Sequence, residues 1–335
     1  MKSACRTLAL LLAFGLTSAL GNVAIAQEIT VYSGRSKSFM DHLFNAFEKD
    51  TGIKVNRVYD KTAAIALKLK TEGERSPADV VLAQDAGALG SLSDAGLLAP
   101  LPESITARVD PTYVSEEGDW VATSLRGRTL AYSSARVDEN DLPASVYDLT
   151  DPKYQGRVGF APGNASFQAF VTAMRLSEGE EKTKQWLLDM KANGVKSFPK
   201  NTAIIQGIAA GEIDFGLPNH YYLIRFKISD SKFPVEQTNF EQGDIGNMVN
   251  VAGAGVLKSS KNAEAAQKLI DYLLTDKGQH YFVGEIFEYP VVDGVMPHRQ
   301  HGDLDTKLEQ APEVDLNAIS DLNGTLKLLR EVGLL

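Results

Sequence analysis

Short apolar and β-branched runs alternate along the first third of the chain with longer segments whose apolar residues recur at helical spacing. Strands are predicted at residues 28–32 and 54–59, and a helix between them carries its apolar stripe on Phe39, Leu43, Phe44 and Phe47. Further along, residues 65–71 predict a helix, residues 78–82 a buried strand and residues 86–95 another helix. Because strands that alternate with helices favour a parallel sheet, we predict an α/β first lobe.

The same alternation resumes after residue 128 and predicts a second α/β lobe. Predicted strands cover residues 129–132, 158–160 and 213–217, and predicted helices cover residues 165–176, 182–192 and 204–210. A strand at residues 250–257 then leads into a helix at residues 263–274. No low-complexity linker separates the two sets, so we expect strands to cross between two lobes with a ligand cleft between them.

The first 26 residues have the pattern of a secretory signal peptide. Lys2 and Arg6 precede an apolar run at residues 8–16, and small residues end in Ala24-Ile25-Ala26. We expect cleavage after Ala26. No later stretch reaches the roughly 18 apolar residues of a membrane helix, so we expect an exported protein that is not embedded in a membrane.

The cysteine content and the net charge exclude some kinds of metal or catalytic site and some kinds of binding partner. The single cysteine, Cys5, lies in the predicted signal, which rules out a thiolate metal site or a cysteine nucleophile in the remainder. The signal holds two of the 34 basic residues and no acidic residue, so the remainder carries 32 minus 43, or −11. Because this balance repels phosphate backbones, we expect no nucleic-acid partner.

Motifs of the common enzyme classes are missing from the sequence. Neither a nucleophile elbow, a phosphate-binding loop, a zinc-protease helix nor a dinucleotide fingerprint occurs after residue 26. His298 and His301 lie three residues apart in a polar stretch and are expected to be solvated loop residues. A hydrolase with an acid pair stays open as an alternative, for which only Asp60 and Asp85 lie near predicted strand ends. We predict a protein that is not an enzyme.

Two adjacent phenols follow the strand predicted at residues 213–217. Tyr221 and Tyr222 lie where that strand ends and the next helix begins, which is the edge where open α/β sheets bind ligands. Phenolate oxygens are hard anionic donors that suit a trivalent cation such as Fe³⁺. A packing role for the pair is the alternative, so the residues alone make cation binding plausible without settling it.

The sequence resembles the bacterial periplasmic ferric-iron-binding proteins of ABC transporters, a branch of the extracellular solute-binding proteins. Six segments in order carry this resemblance: residues 29–35 (ITVYSGR), 47–55 (FEKDTGIKV), 76–80 (SPADV), 93–98 (SDAGLL), 219–222 (NHYY) and 288–290 (EYP). Each segment alone is a weak signal, whereas six in sequence order are specific. The resemblance extends over essentially the whole chain after residue 26.

This resemblance implies a type II periplasmic-binding-protein fold that closes on Fe³⁺. Lobe one is expected at residues 27–125 plus 255–290, lobe two at 126–254, and a C-terminal segment at 291–335 that packs on lobe two. Hinges are expected near residues 124–130 and 250–255. The implied protein is a periplasmic monomer that delivers its cargo to an inner-membrane ABC permease.

The resemblance assigns iron ligation to Tyr221 and Tyr222 and leaves the other ligands open. Ser36 and Gln84 stand where some family members place a histidine and a glutamate. A small anion such as carbonate, a water or another tyrosine then completes the site. Tyr59, at the end of the second predicted strand, is the further candidate ligand, with ordinary cleft lining as its alternative.

Three residues are candidates for holding the anion. Arg35 follows the first predicted strand, and its guanidinium suits bidentate binding of an oxyanion, with a surface salt bridge as the alternative. Asn164 and Ser166 open the predicted helix at residues 165–176, where backbone N–H groups favour anions, with a helix-capping role as the alternative.

A solute-binding protein for another cargo is the second interpretation of the same fold. A small organic or anionic solute, such as thiamine, a polyamine or a phosphate ester, predicts tyrosines that stack on the solute instead of ligating a metal. The two interpretations differ in a visible property, because a ferric phenolate is coloured and a stacked tyrosine is not.

Overall fold

The computed structural model describes residues 27–301 and 307–335, so the predicted signal peptide lies outside the described residues. Eleven strands within these ranges form two sheets. In chain order they are β1 (Glu28–Ser33), β2 (Lys54–Tyr59), β3 (Val80–Ala83), β4 (Leu98–Ala99), β5 (Trp120–Gly127), β6 (Leu130–Ser133), β7 (Val158–Phe160), β8 (Lys196–Ser197), β9 (Phe215–Gly216), β10 (Val235–Thr238) and β11 (Val249–Leu257).

Helices surround both sheets. In chain order they are α1 (Lys37–Thr51), α2 (Thr62–Glu72), α3 (Ala86–Asp94), α4 (Glu103–Thr106), α5 (Ala165–Glu178), α6 (Glu180–Ala192), α7 (Asn201–Ala210), α8 (Tyr221–Ser229), α9 (Ala263–Leu273), α10 (Asp276–Tyr281), α11 (Lys307–Gln310) and α12 (Leu322–Glu331), and a π-helical turn covers Phe282–Ile286. Among the described residues, no helix is long and apolar enough to span a membrane.

The first sheet has the order β2-β1-β3-β11-β4, with β5 paired to β11. Strand β1 runs parallel to β2 and β3, as predicted, whereas β11 is antiparallel to β3, β4 and β5. The predicted apolar stripe of α1 is buried, apart from the partly exposed Phe39, and the helix ends at Gly52 in a left-handed conformation. The prediction of a parallel α/β unit is therefore confirmed, with an antiparallel addition.

The second sheet has the order β10-β6-β9-β7-β8. Strand β7 is parallel to β8 and β9, while β6 is antiparallel to β9 and β10. Strand β9 is shorter than predicted, because only Phe215 and Gly216 of the expected residues 213–217 are in the ladder. The chain leaves β9 early and reaches α8 through a buried connection.

The chain passes between the sheets beside the pair formed by β5 and β11. Strand β5 ends at Gly127 in the first sheet, and β6 begins three residues later in the second. Strand β11 runs back along β5, with Val249 opposite Gly127. At the C-terminus, α12 packs on α5, and the turn Ala318–Ser320 packs on α3. The lobe boundaries and hinges given above stay predictions.

Four aromatic side chains form the core against which α5 and α6 pack. Phe160 of β7 stacks on Phe167 with ring centroids 4.5 Å apart, and Trp186 of α6 meets Phe170 edge to face at 6.0 Å. All four rings are buried. Because α5 begins at the candidate site, this aromatic cluster fixes one wall of it.

Replacing Phe170 by alanine is expected to lower the free energy of unfolding by about 3–5 kcal/mol, because the change removes a fully buried ring and leaves a cavity. Chemical denaturation followed by circular dichroism measures this loss. Leu188→Ala on α6 is the control, since Leu188 is 38% exposed and its truncation should cost much less. Equal losses in the two variants would contradict the assignment of the core.

Candidate cation and anion site

Tyr221 and Tyr222 begin α8, directly after the connection from β9, so the predicted position at a strand end is confirmed. Their rings lie 4.3 Å apart and are tilted by 32°. Tyr221 is fully buried, and its hydroxyl has no hydrogen-bond partner within residues 27–301 and 307–335. Tyr222 is half-buried. Because buried hydroxyl groups are usually hydrogen-bonded, this unpartnered phenol makes Tyr221 a candidate binding residue.

Burial raises the pKa of Tyr221 well above its usual value of about 10. Tyr222 and the nearby Glu288 carboxylate act in the same direction, and the charge of Arg126 acts against them. Without a cation, Tyr221 therefore holds its proton at physiological pH. A metal ion must displace that proton to bind the oxygen.

Arg35 is buried and is paired with a residue distant in sequence. Its Nη2 donates to Glu288 Oε2 at 3.0 Å, and Ser124 Oγ donates to the same oxygen at 2.5 Å. The Nε and Nη1 groups of Arg35 have no acceptor among the described residues. Arg35 is thus not a surface salt bridge, and it keeps two buried donors for a further acceptor.

Arg126 is the least compensated charge in the site. It lies near the end of β5, is 1% exposed, and has no acceptor for Nε, Nη1 or Nη2 in the described part of the chain. Its charge opposes the pKa rise that burial causes at both Asp85 and Tyr221, which locates the guanidinium near these two groups. Three unpaired buried donors on one cation are a strong indication of an anion site.

Asn164 and Ser166 bond to each other at the start of α5. Asn164 caps the helix, and its Oδ1 accepts from the backbone N–H and the hydroxyl of Ser166 at 3.0 and 2.6 Å. Asn201 Nδ2 donates to the Ser166 hydroxyl at 3.3 Å. The capping alternative therefore accounts for both side chains as they stand, and their anion role stays a prediction.

Arg128 joins the start of α5 to the end of β9. Its guanidinium donates to the backbone oxygens of Leu217 and Ser166 at 2.5 and 2.6 Å. It also lies 4.8 Å from the Phe170 ring centre. Burial and the neighbouring Arg126 lower the pKa of Arg128 to about 9, so it stays charged at neutral pH. Its Nη1 and Nη2 atoms each have a backbone acceptor, which distinguishes Arg128 from Arg126.

Tyr59 lies at the end of β2 and donates a hydrogen bond of 2.5 Å to Asp41 Oδ1. Hydrogen bonds from Lys37 and then Tyr59 lower the pKa of Asp41 to about 2. Burial and Asp41 raise the pKa of Tyr59 well above its usual value. The phenol of Tyr59 must leave Asp41 before it can bind a cation, so its role as a ligand stays a prediction.

His220 is fully buried and immediately precedes the tyrosine pair. The Gly127 backbone N–H donates to Nδ1 at 3.1 Å, and Nε2 lies 3.0 Å from the carbonyl oxygen of Phe287. Burial, together with the nearby His301, holds the pKa of His220 well below its usual value. The imidazole is therefore neutral and serves as a bridge between backbone segments.

The prediction that His298 and His301 are solvated is wrong for His301. His301 is 3% exposed, and its ring lies 4.4 Å from the Tyr289 ring and 5.0 Å from that of His220. Burial lowers the pKa of His301 to about 4. The polar character of this stretch is misleading, because the chain folds back under the π-helical turn and buries the ring against two aromatic partners.

The carboxylates considered for a hydrolase serve local backbone roles. Asp60 is exposed and accepts from the Lys61 N–H, while Asp85 is buried and caps α3 by accepting from the Ala88 N–H. Across the described ranges, no group of three or more His, Cys, Asp or Glu side chains is arranged to hold a metal ion.

A cavity of about 320 Å³ opens between helices of the two sheets. Asp85 and Ala88 line it from the first sheet's side, and Ala165 and Ala169 of α5 line it from the other. Leu326 of α12 also lines it. The cavity lies beside the start of α5, and none of the tyrosines or arginines of the candidate site lines it.

Sequence reasoning missed Arg126 and Glu288 as site residues. Arg126 lies in β5, which the sequence pattern did not predict, and Glu288 was noted only as part of a family motif. Their relation to the tyrosines arises from long-range contacts, such as the pairing of Arg35 with a residue 253 positions away. The one available signal was the pair of arginines at residues 126 and 128 inside an otherwise uncharged segment.

Comparison with known proteins places this arrangement in a family. The family model described as bacterial extracellular solute-binding protein matches residues 75–313. The chain is 36% identical over 97% of its length to the major ferric iron-binding protein of Neisseria meningitidis serogroup B, and 97% of that protein is covered. It is 32% identical to the Fe(3+)-binding periplasmic protein of Serratia marcescens, with 97% of the chain and 95% of the relative covered.

Solved structures have the same fold. Iron-bound HitA from Pseudomonas aeruginosa superposes with a TM-score of 0.85 at 32% identity, covering 92% of this chain and 99% of HitA. A Trichodesmium protein in complex with iron and citrate superposes with a TM-score of 0.78 at 30% identity, covering 91% and 99% of the two chains. The resemblance and the two-lobed type II fold are thus confirmed. The chain belongs to the bacterial extracellular solute-binding proteins, a family of transport proteins and not of enzymes.

Proposed function

We propose that the protein is the periplasmic component of a ferric-iron ABC importer and binds Fe³⁺ through the phenolates of Tyr221 and Tyr222. The observation that carries this proposal is the buried hydroxyl of Tyr221, which has no partner in the described chain and lies beside a second phenol. Ferric-iron-binding relatives from Neisseria and Serratia, matched over nearly their whole length, support the choice of metal.

The donor chemistry favours a trivalent cation. Phenolate is a hard anionic ligand, and its proton is displaced most readily by a small cation of high charge. Because Tyr221 holds its proton in the empty site, a weakly polarising divalent ion has less power to displace it. The site therefore favours cations of high charge, because these ions displace the phenol proton more readily.

Charge balance favours a synergistic anion. Fe³⁺ with two phenolates carries one net positive charge, and the buried guanidinium groups of Arg126 and Arg128 add two more. Several positive charges in a buried site are costly unless an anion compensates them. Carbonate, or a carboxylate group of a larger chelator, supplies the compensating charge and the oxygen acceptors that the free donors require.

Arg126 and Arg35 are the residues proposed to hold this anion. Together they offer five buried nitrogen atoms without acceptors in the described residues, in planar groups suited to bidentate binding of an oxyanion. The N-terminus of α5, with Asn164 and Ser166, contributes through its backbone dipole instead of its side chains, which are bonded to each other.

Lobe closure completes the proposed site. Tyr59 ends β2 of the first sheet, and it exchanges its bond to Asp41 for the metal when it serves as a further ligand. Closure buries the cation and presents a surface made by both lobes to the inner-membrane permease. The protein thus carries cargo and leaves its chemical state unchanged.

Addition of ferric ion and bicarbonate to the purified protein is expected to produce a visible phenolate-to-iron charge-transfer band. Tyr221→Phe and Tyr222→Phe should each weaken or abolish the band, because each removes one phenolate donor. Absorption spectroscopy with a competing chelator measures both the band and the affinity. Tyr113→Phe, a phenol outside the cleft, is the control. A colourless protein that takes up no iron would favour an organic solute and reject the proposal.

Iron affinity is expected to rise with pH, since each phenol proton that the metal displaces contributes about a tenfold change per pH unit. The raised pKa of Tyr221 keeps that proton in place throughout the range from pH 5 to 8, so the dependence persists across it. Chelator competition at several pH values gives the slope.

Tyr221→Phe is the comparison for this slope, which should fall by about one proton. Protonation of the anion contributes equally to both proteins and cancels in the difference. Equal slopes would show that the iron does not displace the Tyr221 proton.

Arg126→Met is expected to have opposite effects on the empty and loaded protein. The empty protein should gain about 1–3 kcal/mol in its free energy of unfolding, because an uncompensated buried charge is removed. Iron retention in bicarbonate should fall, because the anion loses its partner. Arg35→Ala should likewise weaken the dependence on bicarbonate.

Thermal unfolding and chelator competition measure the two effects. Arg108→Gln serves as the control, since Arg108 is a partly exposed residue paired with Asp271 at the surface. An Arg126→Met protein that is less stable when empty and unchanged in its bicarbonate dependence would contradict the anion role.

A further inference from the structure

A single imidazole links three separate segments of the candidate site. The Gly127 N–H donates to His220 Nδ1 at 3.1 Å, and Nδ1 also lies 3.4 Å from the Gly127 carbonyl oxygen. The shorter contact makes Nδ1 an acceptor and assigns the proton to Nε2. Nε2 then donates to the Phe287 carbonyl oxygen at 3.0 Å. The backbone N–H of His220 donates in turn to the Gly127 carbonyl oxygen at 3.0 Å. The tautomer is thus set by the backbone.

Each segment that meets this imidazole carries a site residue at the adjacent position. Tyr221 follows His220, Arg126 precedes Gly127, and Glu288, the partner of Arg35, follows Phe287. Each of these three site residues is therefore adjacent in sequence to a residue that either carries the imidazole or bonds to it. A displacement of the imidazole changes the spacing of all three.

The backbone conformation at Phe287 requires surrounding contacts that hold it in place. Phe287 has a φ of 65°, a left-handed conformation that a bulky side chain rarely adopts, directly after the π-helical turn. Its carbonyl oxygen lies within hydrogen-bond distance of both His220 Nε2 and His301 Nε2, the latter at 3.2 Å. Tyr289 stacks on His220 with ring centroids 4.5 Å apart. Strained backbone of this kind persists only where its surroundings hold it in place.

We propose that His220 is a positioning residue that fixes the cation-binding phenol relative to the two anion-binding arginines. This role rests on the proposed function, because the phenol and the guanidinium are the two halves of the proposed ferric site. His220 touches neither the metal nor the anion. It sets the distance between them by bonding to the backbone of β5 on one side and of the Phe287 segment on the other.

Two substitutions divide the roles of the ring nitrogens. His220→Asn retains an amide oxygen near the position of Nδ1, and His220→Gln retains an amide donor near that of Nε2, so each variant loses one of the two bonds. Both variants are expected to shift the phenolate-to-iron band. Both should also raise the bicarbonate concentration needed for half-maximal iron uptake roughly tenfold, which is a common effect of removing a residue that orients a metal ligand. His42→Gln, an exposed histidine of α1, is the matched control and should change neither.

The same titration separates positioning from mere stability. Variants that melt at lower temperature when empty, but keep the wild-type band position and bicarbonate requirement, overturn the positioning role alone. A wild-type protein that shows no iron band overturns the proposed function and this role with it. A shifted band with a raised bicarbonate requirement supports the role, whatever the change in melting temperature.

A measurement on the wild-type protein covers the case in which both variants fail to fold. With ¹⁵N-labelled histidine and diamagnetic Ga³⁺ plus bicarbonate in place of iron, NMR should show His220 as the Nε2–H tautomer with a proton that exchanges slowly with solvent. An Nδ1–H tautomer or a rapidly exchanging proton would overturn the proposal, because the bond to Phe287 would then be absent.

Discussion

An uncompensated positive charge inside the protein is the constraint on which the candidate site depends. Arg126 is almost completely buried, has no acceptor in the described chain, and lies near Arg128, whose Nη1 and Nη2 atoms each have a backbone acceptor. A guanidinium stays protonated near neutral pH, so it cannot relieve this cost by losing a proton. The Arg126 charge acts on the pKa of the nearby Asp85, but this carboxylate accepts no hydrogen bond from the guanidinium. In the proposed function, an anion supplies the acceptors that Arg126 lacks and offsets part of its desolvation cost.

The two sheets stabilise the protein despite the buried charge of Arg126, and they determine where that charge lies. Extensive cores under both sheets supply the stability, while the paired strands β5 and β11 hold Arg126 close to the point where the chain crosses between them. The phenols come from α8 beside the second sheet. Arg35 follows β1 of the first sheet, and its partner Glu288 belongs to a segment that bonds to β5 through Leu125 and Tyr289. The two phenols and the two arginines of the candidate site therefore come from different sheets.

Sequence patterns predicted the parts of the fold that follow simple periodicity. Strands β1, β2 and β7 and the cores of α1, α5 and α6 lie close to their predicted positions, because apolar spacing reflects burial directly. Strand β5 escaped prediction because its buried positions include Thr123, Ser124 and Arg126. Polar residues of this kind are typical of a solvated segment. They are buried here because β5 contributes to the candidate site.

The site was predictable only where local position carried the signal. Tyr221 and Tyr222 were predicted as site residues because they follow a predicted strand. Their position along the chain is sufficient for that inference. Glu288 and His220 gain their meaning from contacts with Arg35, Gly127 and Phe287, which are distant in sequence. His301 was misjudged for the same reason, since its aromatic neighbours come from other segments.

Phenols have a property that carboxylates in the same place would lack. A carboxylate stays ionised near neutral pH unless burial strongly shifts its pKa, and a cluster of them attracts divalent cations as well as trivalent ones. Burial keeps Tyr221 protonated and neutral in the absence of a cation, so this side chain presents no standing negative charge. In the proposed ferric site, the negative charge appears only when a cation strong enough to displace the proton arrives. Under that proposal, selection for a trivalent ion, the need for an accompanying anion and a dependence on pH all follow from the two phenols and the buried guanidinium.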